Sequence, residues 1–164
     1  MLLAVAARGQ GATLDAGLRF QKTLNLYYEN GATVHYRHEA LAHNRVQLGA
    51  TYLSSRLGSA FRSNAIKQDQ VFVSGAYLFR LRRTVQPFVR ANAGWFRADY
   101  ESDIFRNLPN TSPVLSAEPG FWVPTNRRLN AGASAGYNLI TGDGMEGAGT
   151  LFPLFTSSAS RIRC

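Results

Sequence analysis

Three histidines, a few scattered carboxylates and many isolated arginines are the residues of this chain that could carry chemistry. His35, His38 and His43 are its only histidines. A metal site needs its ligands on one side of the backbone. In an extended segment side chains alternate between faces, so His35 and His38 point to opposite sides and could share a metal only across a bulge. Nucleophilic catalysis needs a hydroxyl, an imidazole and a carboxylate within hydrogen-bond reach, and the spacing sets no serine beside His38 or His43. Gly142-Asp143-Gly144 with Glu146 lacks the regularly spaced oxygen ligands of a calcium loop and reads as a surface turn. Asp99, Glu101 and Asp103 read as a solvated loop face. The single cysteine, Cys164, can form no internal disulfide. These residues point to no enzymatic activity, no metal and no cofactor.

The elements that would position them are strands. From Leu14 the chain alternates: Leu14, Ala16, Leu18, Phe20, Leu24, Leu26 and Tyr28 fall on one face, interrupted by Lys22, and Asp15, Gly17, Arg19, Gln21, Thr23, Asn25 and Tyr27 on the other. A period of two over this length is a strand signature. A three-residue connection, Glu29-Asn30-Gly31, would place Ala32, Val34 and Tyr36 beside Leu24, Leu26 and Tyr28, with Gly31 supplying a left-handed residue. Further alternating segments run over 45–53, 70–81, 84–96, 113–123 and 128–139, with a weaker one from Thr150, which makes about eight strands. After the first hairpin, long connections (54–69, 97–112, 140–149) alternate with short ones (82–83, 124–127).

Composition narrows the class. The 164 residues suffice for one domain with a sizeable core. Hydrophobic residues make up 45% and charged residues 17%, against roughly 25% in an average soluble domain. The net charge of +8 comes from arginines spread singly, unlike the clustered stripe of a nucleic-acid-binding protein. No apolar run reaches the roughly 18 to 20 residues of a membrane-spanning helix, so a membrane crossing would have to be made by strands. Unpaired amides at a sheet edge are costly in lipid, so such a sheet must close. The expected fold is all-β, an up-and-down antiparallel transmembrane β-barrel of about eight strands, with long connections on one rim and short turns on the other. Residues 1–12 read as a truncated signal segment with a short apolar run, and 13–164 as a single barrel domain.

One face of these strands would meet lipid and the other the lumen. Leu14, Leu18, Val46, Leu48, Val89, Ala91, Leu129 and Ala133 are expected outward. Tyr28, Tyr52, Tyr77, Phe79, Trp95, Phe121 and Tyr137 fall near the ends of outward segments, where rings suit the headgroup boundary. A lumen polar network of Asp15, Arg19, Arg37, Arg45, Arg80, Arg90 and Glu118 is expected inward, its charges paired because isolated buried charges are costly. Arg90 and Glu118 sit on neighbouring strands and can meet. Arg80, Arg82 and Arg83, with Arg127 and Arg128, place cations at the short-turn rim.

The alternating segments, the loop rhythm and the stretch from Gly136 to Gly144 (Gly-Tyr-Asn-Leu-Ile-Thr-Gly-Asp-Gly) resemble the small outer-membrane β-barrel proteins of Gram-negative bacteria. The resemblance implies a cell outer membrane location, contact with outer-membrane lipid and lipopolysaccharide, and assembly by the barrel-insertion machinery, with no nucleic-acid partner. It implies no particular activity, since such barrels include structural anchors, adhesins, small-solute channels and a few lipid-modifying enzymes; the leading reading is a non-enzymatic structural, adhesion or minor transport role without a specific substrate, any recognition lying in the loops at 58–68 and 99–110. Such barrels usually end on an aromatic residue, whereas here Leu151-Phe152-Pro153-Leu154-Phe155 runs on to Cys164, so the closing strand reads as altered. Two rivals share the pattern: a soluble lipocalin- or avidin-like barrel with its apolar face inside, and a lipid-modifying barrel enzyme that would depend on His43.

Overall fold

The computed structural model describes residues 11–23, 28–57, 66–80, 84–100, 110–125, 130–140 and 150–157. Eight strands follow one another: β1 (Ala12–Thr23), β2 (Tyr28–His38), β3 (Val46–Leu57), β4 (Ile66–Leu78), β5 (Gln86–Tyr100), β6 (Thr111–Pro124), β7 (Asn130–Ile140) and β8 (Thr150–Ser157). Each pairs antiparallel with the next, and β8 pairs back onto β1 to close the barrel. The expected fold class is the observed one.

The first hairpin departs from expectation. Glu29, Asn30 and Gly31 are not a turn but lie inside β2, and the register pairs Leu18 with Ala32, Ala16 with Val34 and Leu14 with Tyr36. Leu24 and Leu26 lie outside the described residues. The face assignment survives the shift because both registers match even positions with even ones. What favours the observed register is Glu29, which it turns inward onto Gln21, Gln68 and Gln70. Gly31 serves the sheet and not a turn: a Cβ there would run into the backbone carbonyl of Tyr52 on β3.

Strands β3, β4 and β5 run further toward the long-loop rim than alternating hydropathy indicates. Lys67 faces Asp99 and Asp69 faces Arg97 across the β4–β5 ladder. Opposite charges directly across an antiparallel pair support the ladder, and the Tyr52 hydroxyl donates to Asp69 at 2.7 Å. The ladder thus continues where the apolar pattern stops.

The closing strand forms in spite of its sequence. Its seam with β1 spans the pairs Lys22–Phe155, Gln21–Thr156, Phe20–Ser157 and Thr23–Leu154, beginning one residue beyond Pro153, which has no N–H to donate. At the other end Ala12 already belongs to β1, pairing with His38, and the Gly11 carbonyl accepts from the Glu39 amide. Residues 1–10 lie outside the described residues, as do Leu129 and Cys164.

The barrel is apolar outside and polar inside. Val73, Trp95 and Val71 are 64%, 56% and 55% exposed, and Leu18, Leu48, Val89, Tyr52, Tyr77, Phe79, Phe121 and Tyr137 are exposed with them. Ala91 is exposed, whereas Leu14, Val46 and Ala133 are half-buried. Buried instead are Asp15, Arg19, Arg37, Arg90, Glu29 and Glu118. A soluble ligand-binding barrel would show the reverse, so that rival is set aside. The interior is not wholly polar, however: Leu53, Phe72, Phe96, Ala98 and Val114 form a buried apolar cluster on the β3–β6 wall. An even-numbered aromatic on β4 or β5 falls inward by the same alternation that turns Arg90 inward.

Candidate functional site

The charged interior is built on two carboxylates. Glu118 on β6 lies directly opposite Arg90 on β5 in the ladder, and Arg90 Nη1 donates to Glu118 Oε1 at 2.7 Å. From β1, which does not neighbour β6, Arg19 reaches across the lumen and donates through Nη2 to Oε2 at 2.6 Å and through Nη1 to Oε1 at 3.3 Å. Glu118 is wholly buried and both arginines are nearly so. Two cations on one carboxylate leave a net positive centre. It is eased by the Gln21 side-chain oxygen, which accepts from Arg19 Nη2 at 3.1 Å, and by the face of Phe88, whose centroid lies 4.9 Å from the Arg90 guanidinium carbon.

Glu29, nearer the long-loop rim, is held by three amides. Gln21 Nε2 donates to its Oε2 at 2.6 Å, while Gln70 and Gln68 donate to Oε1 at 2.6 and 3.0 Å. Sequence reasoning missed this residue because an Asn-Gly pair follows it and reads as a turn. The alternation of Gln21, Gln68 and Gln70 with outward residues was the available signal.

Toward the short-turn rim, Arg37 Nη2 donates to Asp15 Oδ2 at 3.1 Å, both groups buried. His35 faces inward with Nε2 3.1 Å from Thr33 Oγ1 and meets Trp122 edge-on at 6.4 Å. His38 turns to the other face and stacks on Tyr36 at 6.3 Å, its Nδ1 accepting from the Ala40 amide at 3.0 Å. No group of three or more His, Cys, Asp or Glu among the described residues is arranged to hold a metal.

Of the seven residues expected in the lumen, five therefore lie inside: Arg19, Arg90 and Glu118 in one cluster, Asp15 and Arg37 in another. Arg45 and Arg80 do not join them. Arg45 precedes β3 and donates through Nη1 to the Tyr77 hydroxyl at 3.3 Å. Arg80 is exposed, because β4 ends at Leu78 and the strict alternation that would have turned it inward ends there too. Both instead line a cavity of about 290 Å³ at the short-turn mouth, with Arg37, His43, Asn44, Leu78, Gln86, Trp122 and Asn130. A broader apolar depression on the outer wall, bounded by Leu48, Val73, Leu115 and Tyr137, holds no charged group. Asp99 is exposed on β5. Arg82, Arg83, Arg127, Arg128, Glu101, Asp103, Gly142 to Glu146 and most of the loops expected to carry recognition lie outside the described residues.

No family model and no curated protein matches the chain. Solved structures do. Neisserial surface protein A superposes with a TM-score of 0.64 at 17% identity, over 93% of this chain and 96% of that one. Ail, the attachment invasion locus protein of Yersinia pestis, superposes with a TM-score of 0.56 at 15% identity, over 93% and 97%. The same protein in complex with the heparin analogue sucrose octasulfate gives 0.54 at 14%, over 93% and 96%. With its exposed apolar belt and buried charges, the chain has the fold of the small outer-membrane β-barrel proteins.

Proposed function

We propose that this protein is a non-enzymatic barrel of the cell outer membrane with a structural, adhesion or minor transport role. The observation that carries the reading is the inversion of polarity: an exposed belt of Val73, Val71, Leu18, Leu48, Leu115 and Trp95 around a barrel whose charges are buried. In water such a surface is a liability, and in hydrocarbon it is the required one. Beyond Trp95 and Val71 the outer face becomes charged with Lys67, Asp69, Arg97 and Asp99. That boundary suits the anionic head groups of lipopolysaccharide. Insertion would proceed through the barrel-assembly machinery, and no nucleic-acid partner is implied.

Within this role the Arg19–Glu118 bridge favours a structural or adhesive part over transport, because it crosses the lumen. Attachment is also the function carried in the name of Ail. The contact of Thr33 with His35 is read as structural and no catalytic role is assigned to it.

The test is cell fractionation with heat-modifiable gel mobility, in which a folded barrel migrates differently before and after boiling. Recovery in the outer membrane with a mobility shift is expected. Recovery in the soluble fraction would overturn the reading.

A further inference from the structure

We infer that the short-turn mouth of the barrel is a binding site for a small phosphate monoester entering from the aqueous side. The inference goes beyond the structural or adhesive role and does not depend on it, since it rests on the geometry of the mouth. The cavity there is lined by three arginines, Arg37, Arg45 and Arg80, together with His43, Asn44, Gln86 and Asn130, and no carboxylate is among its described lining residues. Arg37 is already balanced by Asp15 at 3.1 Å, which leaves the charges of Arg45 and Arg80. A phosphate monoester carries about −1.5 to −2 at neutral pH, enough to match both, whereas a carboxylate would match one. Guanidinium forks suit phosphate oxygens, and amide side chains supply further donors.

The rest of the cavity fits the organic part of such a ligand. Leu78, Phe79, Trp122 and Pro124 form an apolar wall, and Trp122 is fixed by stacking on Phe88 with centroids 5.5 Å apart. The volume of about 290 Å³ sits at the lower end of small-molecule sites, which run from roughly 300 to 1,000 Å³. This is room for a phosphate and a few more heavy atoms.

Backbone geometry marks the same place. Ala42, His43 and Asn44 are consecutive non-glycine residues in the left-handed region, with φ of 50°, 55° and 62°. Such backbone costs a residue like Ala42 roughly 1–2 kcal/mol, and Asn44, whose short polar side chain tolerates it, less. The turn is held in this form by Leu41 N donating to the His38 carbonyl and Arg45 N to the Ala42 carbonyl, at 2.9 and 3.2 Å. It presents His43 and Asn44 to the cavity.

Arg37, Leu78, Trp122 and Asn130 bring the buried part of the cavity from the inward faces of their strands, while Phe79, Arg80 and Pro124 carry its rim to the exposed surface. Since the buried lining comes from the lumen side, the proposed occupant is a water-soluble ester, and a lipid head group at the rim is the alternative the experiment separates.

The experiment uses the full chain folded in non-ionic micelles, with calorimetric titration of glycerol 3-phosphate and, separately, of phosphatidic acid in mixed micelles. Saturable binding of glycerol 3-phosphate is expected, weakened at least tenfold by Arg80→Glu and by Asn130→Asp. Arg97→Glu, which makes the same charge change on the outer face of β5, is expected to leave it within twofold. Arg80 is exposed, so its variant should keep the folded gel mobility, and that mobility is checked for each protein. No saturable binding of glycerol 3-phosphate would overturn the proposal, as would equal loss in Arg80→Glu and Arg97→Glu. Binding of phosphatidic acid alone would assign these cations to the bilayer surface and overturn it as well.

Discussion

Truncating Glu118 to alanine tests the interior most directly. Its carboxylate accepts from Arg90 at 2.7 Å and from Arg19 at 2.6 and 3.3 Å, with Glu118 wholly buried. Glu118→Ala leaves two guanidiniums facing each other with no anion between them. They have little to fall back on, since Arg19 Nε and Arg90 Nε and Nη2 have no hydrogen-bond partner even with Glu118 present. Removing one member of a buried charge pair costs about 3–5 kcal/mol, a factor of roughly 150 to 5,000 in the unfolding equilibrium. The two pairs share one carboxylate, so their costs should not simply add. Glu118→Gln should cost less, because its amide oxygen can still accept from one arginine. Replacing all three residues, with Arg19→Met, Arg90→Met and Glu118→Leu, should recover most of the loss, since a packed apolar cluster of similar volume is often as stable as a buried ion group. Urea unfolding in lipid vesicles, followed by tryptophan fluorescence, measures each step. A cost below about 1 kcal/mol for Glu118→Ala would refute the reasoning, because it would mean that lumen water solvates both cations.

Three further outcomes follow from the geometry. The two tryptophans divide between the faces, Trp95 outward and Trp122 inward, so brominated lipid should quench Trp122→Phe strongly and Trp95→Phe weakly; the opposite order would turn the barrel inside out. Gly31→Ala and Gly94→Ala should each lose the folded gel mobility, because their Cβ atoms would enter the carbonyls of Tyr52 and Val71, whereas Gly75→Ala, which meets nothing, should fold normally. Val73→Arg, at the most exposed apolar side chain, should cost about 2–4 kcal/mol in vesicles if it lies near the bilayer midplane, and a neutral result would count against lipid contact there.

Alternation made the strands, their faces and the meeting of Arg90 with Glu118 legible in the sequence, because a period of two is imposed by backbone geometry alone. It could not date the ends of strands. Where Lys67, Asp69, Arg97 and Asp99 take over the outer face, hydropathy falls silent while cross-strand charge pairing keeps the ladder going. It also misjudged the first turn, where Asn30-Gly31 carries a strong local signal and the competing signal is a long-range one: Glu29 needs glutamines from β1 and β4. The reach of Arg19 across the lumen was illegible for a related reason. Which inward residues face each other over a closed barrel depends on its stagger, and no stretch of one strand encodes that. Arg80 shows the converse error, in which parity was carried past the end of the strand that gave it meaning.

The interior separates binding from passage. A solute moving along the lumen must part Arg19 from Glu118, exposing the same charges whose separation costs several kcal/mol in the truncation above. Nearer the long-loop rim it would meet Glu29 gripped by three glutamines, beside the apolar cluster of Leu53, Phe72, Phe96, Ala98 and Val114. A ligand entering the short-turn mouth meets neither barrier. It meets Arg80, Arg45, Trp122 and Arg37 within one cavity, so occupancy of the mouth requires no opening of the barrel. Ligand binding and conductance should therefore respond to different substitutions: Arg80→Glu should weaken the first at least tenfold without creating the second, while Glu118→Ala, which removes the bridge across the lumen, should raise ion conductance in planar bilayers with the mouth still intact.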